Sequence, residues 1–64
     1  MDYTILRLET VKKHTGMSRS NIYKLMSEGL FPKSISLGAR AVGWIEAEIN
    51  EWIEQRIESS RKSK

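Results

Sequence analysis

Residues 15–24 read TGMSRSNIYK, and the first four of them predict a tight joint between two helices. Gly16 is suited to a helix C-cap, and Ser18 is a good N-cap for the helix that follows. Met17 precedes that cap and Ile22 occupies the fourth helical position, so the two side chains can form a hydrophobic staple. The stretch therefore predicts a helix-turn-helix in which the entry angle of the second helix is fixed.

The second helix is predicted to be amphipathic. At 100° per residue, Ile22, Leu25 and Met26 cluster on one side. The opposite arc is polar and consists of Arg19, Ser20, Tyr23, Lys24 and Ser27. Gly29 is expected to close this helix near residue 28, because glycine is favoured just past a helix C-terminus. One face of the helix should pack, and the other should remain free to bind.

A short helix is predicted before the joint, from about Glu9 to Thr15, with Leu8 and Val11 on one side. After residue 32 the apolar period changes from 3.6 to 2, with apolar residues at 35 and 37 and again at 42 and 44. Two short strands should result. Gly38 between them can take a positive φ, which predicts a hairpin, or wing, with Arg40 near its tip.

The last helix is the most periodic part of the chain, with apolar residues at 45, 49, 52, 53 and 57 and no Gly or Pro from residue 45 onward. Residues 59–64 contain no apolar side chain, and we expect them to form a frayed basic tail. The predicted fold is mainly α with a small β-hairpin, in the order α-α-β-β-α. It is a winged helix-turn-helix in one compact domain over residues 1–58.

Composition restricts the function classes. A chain of 64 residues buries only about 60% of its unfolded surface, which leaves little room for an enclosed catalytic cavity. Cysteine is absent and His14 is the single histidine, so we expect neither a disulfide nor a metal site. The sequence has no Gly-rich phosphate loop and no nucleophile with a matching histidine and acid. We therefore expect no cofactor, no small-molecule ligand and no enzymatic activity.

No apolar run approaches the roughly 20 residues that a membrane span requires. The chain is accordingly expected to lie in the cytoplasm, without a membrane partner, and to be associated with the nucleoid when bound to DNA.

The charges are segregated along the chain. Residues 10–44 carry six basic residues against one acidic residue, a net of +5, and residues 45–58 carry one against five, a net of −4. Three further basic residues follow at positions 61, 62 and 64. The first region is suited to a polyanion.

Double-stranded DNA is the polyanion that the helix-turn-helix predicts. Arg19, Ser20 and Asn21 occupy the first turn of the second helix, the turn that approaches base edges in such proteins. Arginine can bind guanine bidentately and asparagine can bind adenine, although Asn21 lies toward the side of the polar face. Tyr23 and Lys24 are better placed for backbone contacts that set the register.

Four further cations are candidates outside that helix. Arg40 on the wing could reach an adjacent minor groove or phosphate, with Lys33 alongside. Lys12 and Lys13 are either phosphate contacts or residues that serve solubility. A different class of function also fits the sequence, namely a protein-interaction adaptor that docks its acidic last helix, with Trp52, on a partner.

The stretch from residue 6 to about residue 56 resembles the AlpA family of short phage and prophage transcriptional regulators. The matching segments are TGMSRSNIY at 15–23, FPK at 31–33, LG at 37–38, VGWIEAEI at 42–49 and EW at 51–52. The resemblance implies a winged helix-turn-helix similar to MerR-type and excisionase-type domains. It assigns the recognition-helix role to Arg19, Ser20, Tyr23 and Lys24, and the wing role to Arg40.

The resemblance also implies control of genes on an integrated element, through activation of an integrase or through action as an excision factor at attachment sites. The final helix is too short for a sustained heptad zipper. We therefore expect a monomer in solution that can self-associate on tandem DNA sites.

Overall fold

Three helices and a small antiparallel sheet make up the fold, in a computed structural model that describes residues 2–62. The elements in chain order are β1 (Ile5–Leu6), α1 (Leu8–Thr15), α2 (Arg19–Ser27), β2 (Ile35–Ser36), β3 (Val42–Ile45) and α3 (Glu46–Lys62). This is the winged helix-turn-helix that the sequence predicts. The β2–β3 hairpin is the wing.

The sheet contains one strand more than the sequence predicts. Its order is β1-β3-β2, and β1 pairs antiparallel with β3 through Ile5 opposite Ile45 and Leu6 opposite Trp44. A strand of two residues is too short to show an alternating pattern, so β1 can be identified only from its pairing with β3. The pairing also places Ile45 in β3, whereas the sequence places it at the start of the last helix. The element order is therefore β-α-α-β-β-α.

The core lies between the sheet and the three helices. Its buried members come from every part of the chain: Leu6, Val11, Ile22, Phe31, Trp44 and Ile49. Val11, Ile22, Trp44 and Ile49 are fully buried, as the helical and strand periodicities predict. The indole N–H of Trp44 donates to the Pro32 carbonyl at 3.1 Å, so its one polar atom has a partner inside the core.

The central strand β3 depends on a glycine. A Cβ on Gly43 would lie 2.5 Å from Cγ2 of Ile5, 3.0 Å from Cδ1 of Leu37 and 3.2 Å from the Leu6 carbonyl oxygen. Gly43 therefore lets the segments on either side approach β3 more closely than any larger residue would allow.

The wing is short, and the apolar side chains on its β2 side are partly exposed. Ile35 and Leu37 are 37% and 42% exposed, because β2 lies at the edge of the sheet and ends at Ser36. The loop at residues 37–41 is closed by the Leu37 N–H, which donates to the Ala41 carbonyl at 2.7 Å. Gly38 has a φ of 148°, in the positive region that the sequence assigns to it.

The last helix, α3, continues to Lys62 and crosses the predicted boundary at residue 58 without interruption. Residues 59–62 are thus helical where the sequence predicts a frayed tail, and residues 63–64 lie outside the described part of the chain. No glycine or proline stops the helix, and its backbone hydrogen bonds need no tertiary contact. The helix can therefore extend past Ile57, its last apolar residue.

Candidate nucleic-acid interface

The joint between α1 and α2 has the geometry that the sequence predicts. Gly16 caps α1 with φ 71° and ψ 14°, and its N–H donates to the Lys12 carbonyl at 2.8 Å. The Ser18 hydroxyl accepts from the Asn21 N–H at 3.3 Å, so it satisfies one of the free N–H groups at the start of α2. Met17 packs against the core between these two caps. Local interactions therefore set the direction in which α2 leaves the joint.

The other end of α2 is closed by two nested backbone hydrogen bonds. The Leu30 N–H donates to the Leu25 carbonyl at 2.8 Å, and the Gly29 N–H donates to the Met26 carbonyl at 3.1 Å. With Gly29 at a φ of 73°, this is a Schellman motif. The helix thus ends at Ser27, with Glu28 as its cap. Both ends of α2 are defined within residues 16–30.

The two faces of α2 differ as predicted. Ile22 is fully buried, and Leu25 and Met26 are half-buried against the core. The polar residues all lie on the exposed surface, and they are Arg19, Ser20, Asn21, Tyr23, Lys24 and Ser27. No described part of α3 covers these side chains. The face that the sequence singles out is therefore open to a partner.

Tyr23 connects this face to the core. Its ring packs edge-on against Trp44, with centroids 6.4 Å apart and an interplanar angle of 68°. The guanidinium of Arg19 lies over the same ring, 5.6 Å from its centroid. The series Arg19, Tyr23, Trp44 thus leads from an exposed cation to a fully buried indole. Sequence periodicity places Arg19 and Tyr23 on one face, but it contains no signal for the contact with Trp44, which comes from β3.

Ser20 and Asn21 have partners within the first turn. The Ser20 hydroxyl lies 3.4 Å from that of Ser18, and the Asn21 backbone is held by the N-cap. These contacts leave the Asn21 amide exposed and restrain the backbone that carries it.

The two wing and flank candidates occupy different surroundings. Arg40 lies in the exposed bend at residues 38–40, near the tip of the wing as predicted. Lys33 lies in the loop before β2, where it lines an open groove together with Glu48, Glu51 and Trp52 of α3. Lys33 is exposed there.

The two lysines of α1 also differ. Lys12 is half-buried, and its Nζ lies 3.6 Å from Oε2 of Glu9, so part of its charge is already paired. Lys13 is exposed. Among the candidate phosphate contacts on α1, Lys13 is the more available cation.

Residues 2–62 contain no cluster of three or more potential metal ligands. None of the helices described is both long and apolar enough to cross a membrane.

Similarity to known proteins indicates the family to which this chain belongs. The profile of the family described as "Prophage CP4-57 regulatory protein (AlpA)" matches residues 4–57, which include every strand, α1, α2 and most of α3. The chain is similar to the "DNA-binding transcriptional activator AlpA" of Escherichia coli K12, with 48% identity over 58 residues, covering 81% of this chain and 83% of that protein. It is also similar to the "Uncharacterized protein ORF88" of enterobacteria phage P4, with 39% identity over 57 residues, covering 89% of this chain and 65% of that protein. The match over nearly the whole fold shows that this chain belongs to the AlpA family of prophage regulatory proteins.

Proposed function

We propose that this protein is a non-enzymatic regulator of transcription that binds double-stranded DNA sequence-specifically, with α2 in the major groove. The observation that carries the proposal is the exposed polar face of α2 on a helix whose opposite face is fastened to the core through Ile22. A relative at 48% identity is named a DNA-binding transcriptional activator, which supports the same function here.

The proposed contacts follow from position along α2. The N-terminal turn of a recognition helix approaches the base edges, so Arg19 is the candidate for guanine, with Ser20 and Asn21 beside it. Lys24, one turn further along, is the candidate for a phosphate. Arg40 extends the surface from the wing, and Lys13 from α1.

The genes controlled are proposed to belong to a phage or an integrated mobile element, including those for integration or excision. The similarity to a protein of phage P4 and to a prophage family supports this assignment. An excision factor remains the alternative, and footprinting distinguishes the two. Protection upstream of a promoter indicates transcriptional control, whereas protection of attachment-site arms indicates an excision factor.

The remaining elements of the proposal concern the state of the protein in the cell. We infer a cytoplasmic monomer that can self-associate on tandem sites. The −4 segment at residues 45–58 and the half-buried Trp52 would serve a protein-interaction adaptor instead. A stable protein complex that is unaffected by Arg19→Ala and Lys24→Ala, without specific recovery of DNA, would favour that second function.

The central experiment is selection of duplex DNA from a random pool, followed by affinity measurements at several salt concentrations. With about five phosphates neutralised, log K should fall with log[salt] at a slope of about −4 to −5. A salt-independent affinity for the selected duplex would contradict the proposal.

A further inference from the structure

The surface relevant here lies between the C-terminal turns of α3 and the joint that precedes α2. Burial decreases along α3: Ile49 is fully buried, Trp52 and Ile53 are half-buried, and Ile57 is 44% exposed. The helix is about 25 Å long at 1.5 Å per residue, and its described residues from 54 onward are all classed as exposed.

The part of α3 from Trp52 to Arg61 forms one wall of an open groove of about 490 Å³, which we call the rear groove. Its other wall is the joint, with His14, Thr15 and Met17. The α3 wall follows two adjacent helical rows and consists of Trp52, Ile53, Arg56, Ile57, Ser60 and Arg61. Arg56 and Arg61 therefore line the same groove as the segment that leads into the N-cap of α2.

The charge of the rear groove distinguishes it from the other faces of α3. Among the described residues that line it, none is acidic. The groove that contains Lys33 includes Glu48, Glu51 and also Arg56, which lines both grooves, and the face that contains Lys62 includes Glu58. Although residues 45–58 carry a net charge of −4, the α3 wall of the rear groove thus has two arginines and no carboxylate among its described residues.

The two arginines of the rear groove are held differently. The Arg56 guanidinium lies 5.1 Å from the centroid of the Trp52 ring, and the Trp52 indole N–H in turn donates to the Leu30 carbonyl at 2.8 Å. Arg56 is therefore restrained by a cation–π contact with an anchored ring. Arg61 is exposed one turn further on.

We infer that the rear groove is a second phosphate-binding surface, in which Arg61, with Arg56 beside it, binds the DNA backbone flanking the site read by α2. This inference rests on the proposed DNA-binding function. The N-terminal end of α2 is the end that approaches the bases, so the sugar-phosphate strand at the edge of the major groove passes beside the joint. A shallow cationic groove there fits a phosphodiester chain. The inferred DNA interface then includes α3, although residues 45–58 carry a net charge of −4.

The test compares two adjacent cations on α3. Arg61→Gln and Lys62→Gln remove the same charge from neighbouring positions, but Lys62 lies on a different face, with Gln55, Glu58 and Ser59. Affinity for a selected duplex is measured from 50 to 200 mM salt for the full-length chain and both variants. Each phosphate contact contributes about 0.9 to the slope of log K against log[salt], or roughly a threefold change over this range.

We expect Arg61→Gln to reduce the salt dependence by one contact, whereas Lys62→Gln keeps the wild-type slope. Arg61→Lys should restore it, because the charge remains. An unchanged slope in Arg61→Gln would overturn the inference and would favour a protein partner for the rear groove. An equal reduction of the slope in both variants would also overturn the inference. Such a result would indicate a long-range electrostatic effect rather than a phosphate contact at Arg61. A wild-type affinity without salt dependence would instead refute the proposed function itself.

Discussion

The helices α2 and α3 are held in the fold in different ways. Both ends of α2 are closed by caps within residues 16–30, and its apolar side is anchored by the fully buried Ile22. Helix α3 is nearly twice as long, is anchored by Ile49 near its start, and extends outward with progressively more exposed side chains. A short helix with both ends capped presents its polar face in one orientation. The position of the far end of a long helix that is held at one end depends on how its first turns pack against the core.

The largest effect should come from removing the anchor of α2. Ile22→Ala leaves a cavity in the core and should lower the free energy of unfolding by about 2–5 kcal/mol. Ile57→Ala, at a side chain that is 44% exposed, should lower the free energy of unfolding by well under half as much. Urea denaturation of both variants measures the difference, and similar losses would show that α3 is fastened along its whole length.

A second prediction compares the cations of the two helices. Arg19→Ala should weaken binding to the selected duplex by about 1–3 kcal/mol and should relax base discrimination at one position, because Arg19 lies in the first turn of α2. Alanine at Lys24 should weaken binding to every sequence alike. Competition assays with single-base variants of the site provide the measurement. Uniform weakening by Arg19→Ala would reassign this side chain to a phosphate.

The smallest effect concerns how Arg19 is held. If the Tyr23 ring positions the guanidinium, Tyr23→Phe should bind DNA nearly as wild type, whereas Tyr23→Leu should lose about 0.5–1 kcal/mol of affinity. Wild type and Tyr23→Phe should also share upfield-shifted Arg19 side-chain protons in NMR spectra of the free protein. Tyr23→Leu should lack that shift. A large loss in Tyr23→Phe would instead identify the hydroxyl as a DNA contact.

Several features of the candidate site are predictable from the sequence because their causes are local. The caps at Gly16 and Ser18, the end of α2 before Gly29 and the exposure of Arg19 and Lys24 all depend on residues within one or two turns. Capping hydrogen bonds and helical periodicity operate over that distance. The positive φ of Gly38 in the wing also has a local cause, because glycine adopts that backbone region readily.

Other features depend on residues far apart in the chain. Strand β1 exists through its pairing with β3 about 40 positions later, and the Tyr23 ring is placed against Trp44. Lys33 lines one groove with Glu48 and Glu51 of α3, which its neighbours in sequence do not indicate.

The sequence alone determined the helix-turn-helix, both ends of α2 and the division of that helix into an apolar and a polar face, because backbone capping and side-chain periodicity are short-range effects. Only the tertiary structure decided that a third strand completes the sheet, that Trp44 supports Tyr23, and that Arg56 and Arg61 face the joint. These contacts join segments separated by about 20 to 47 residues, and they form only when burial of the common core fixes where each element lies.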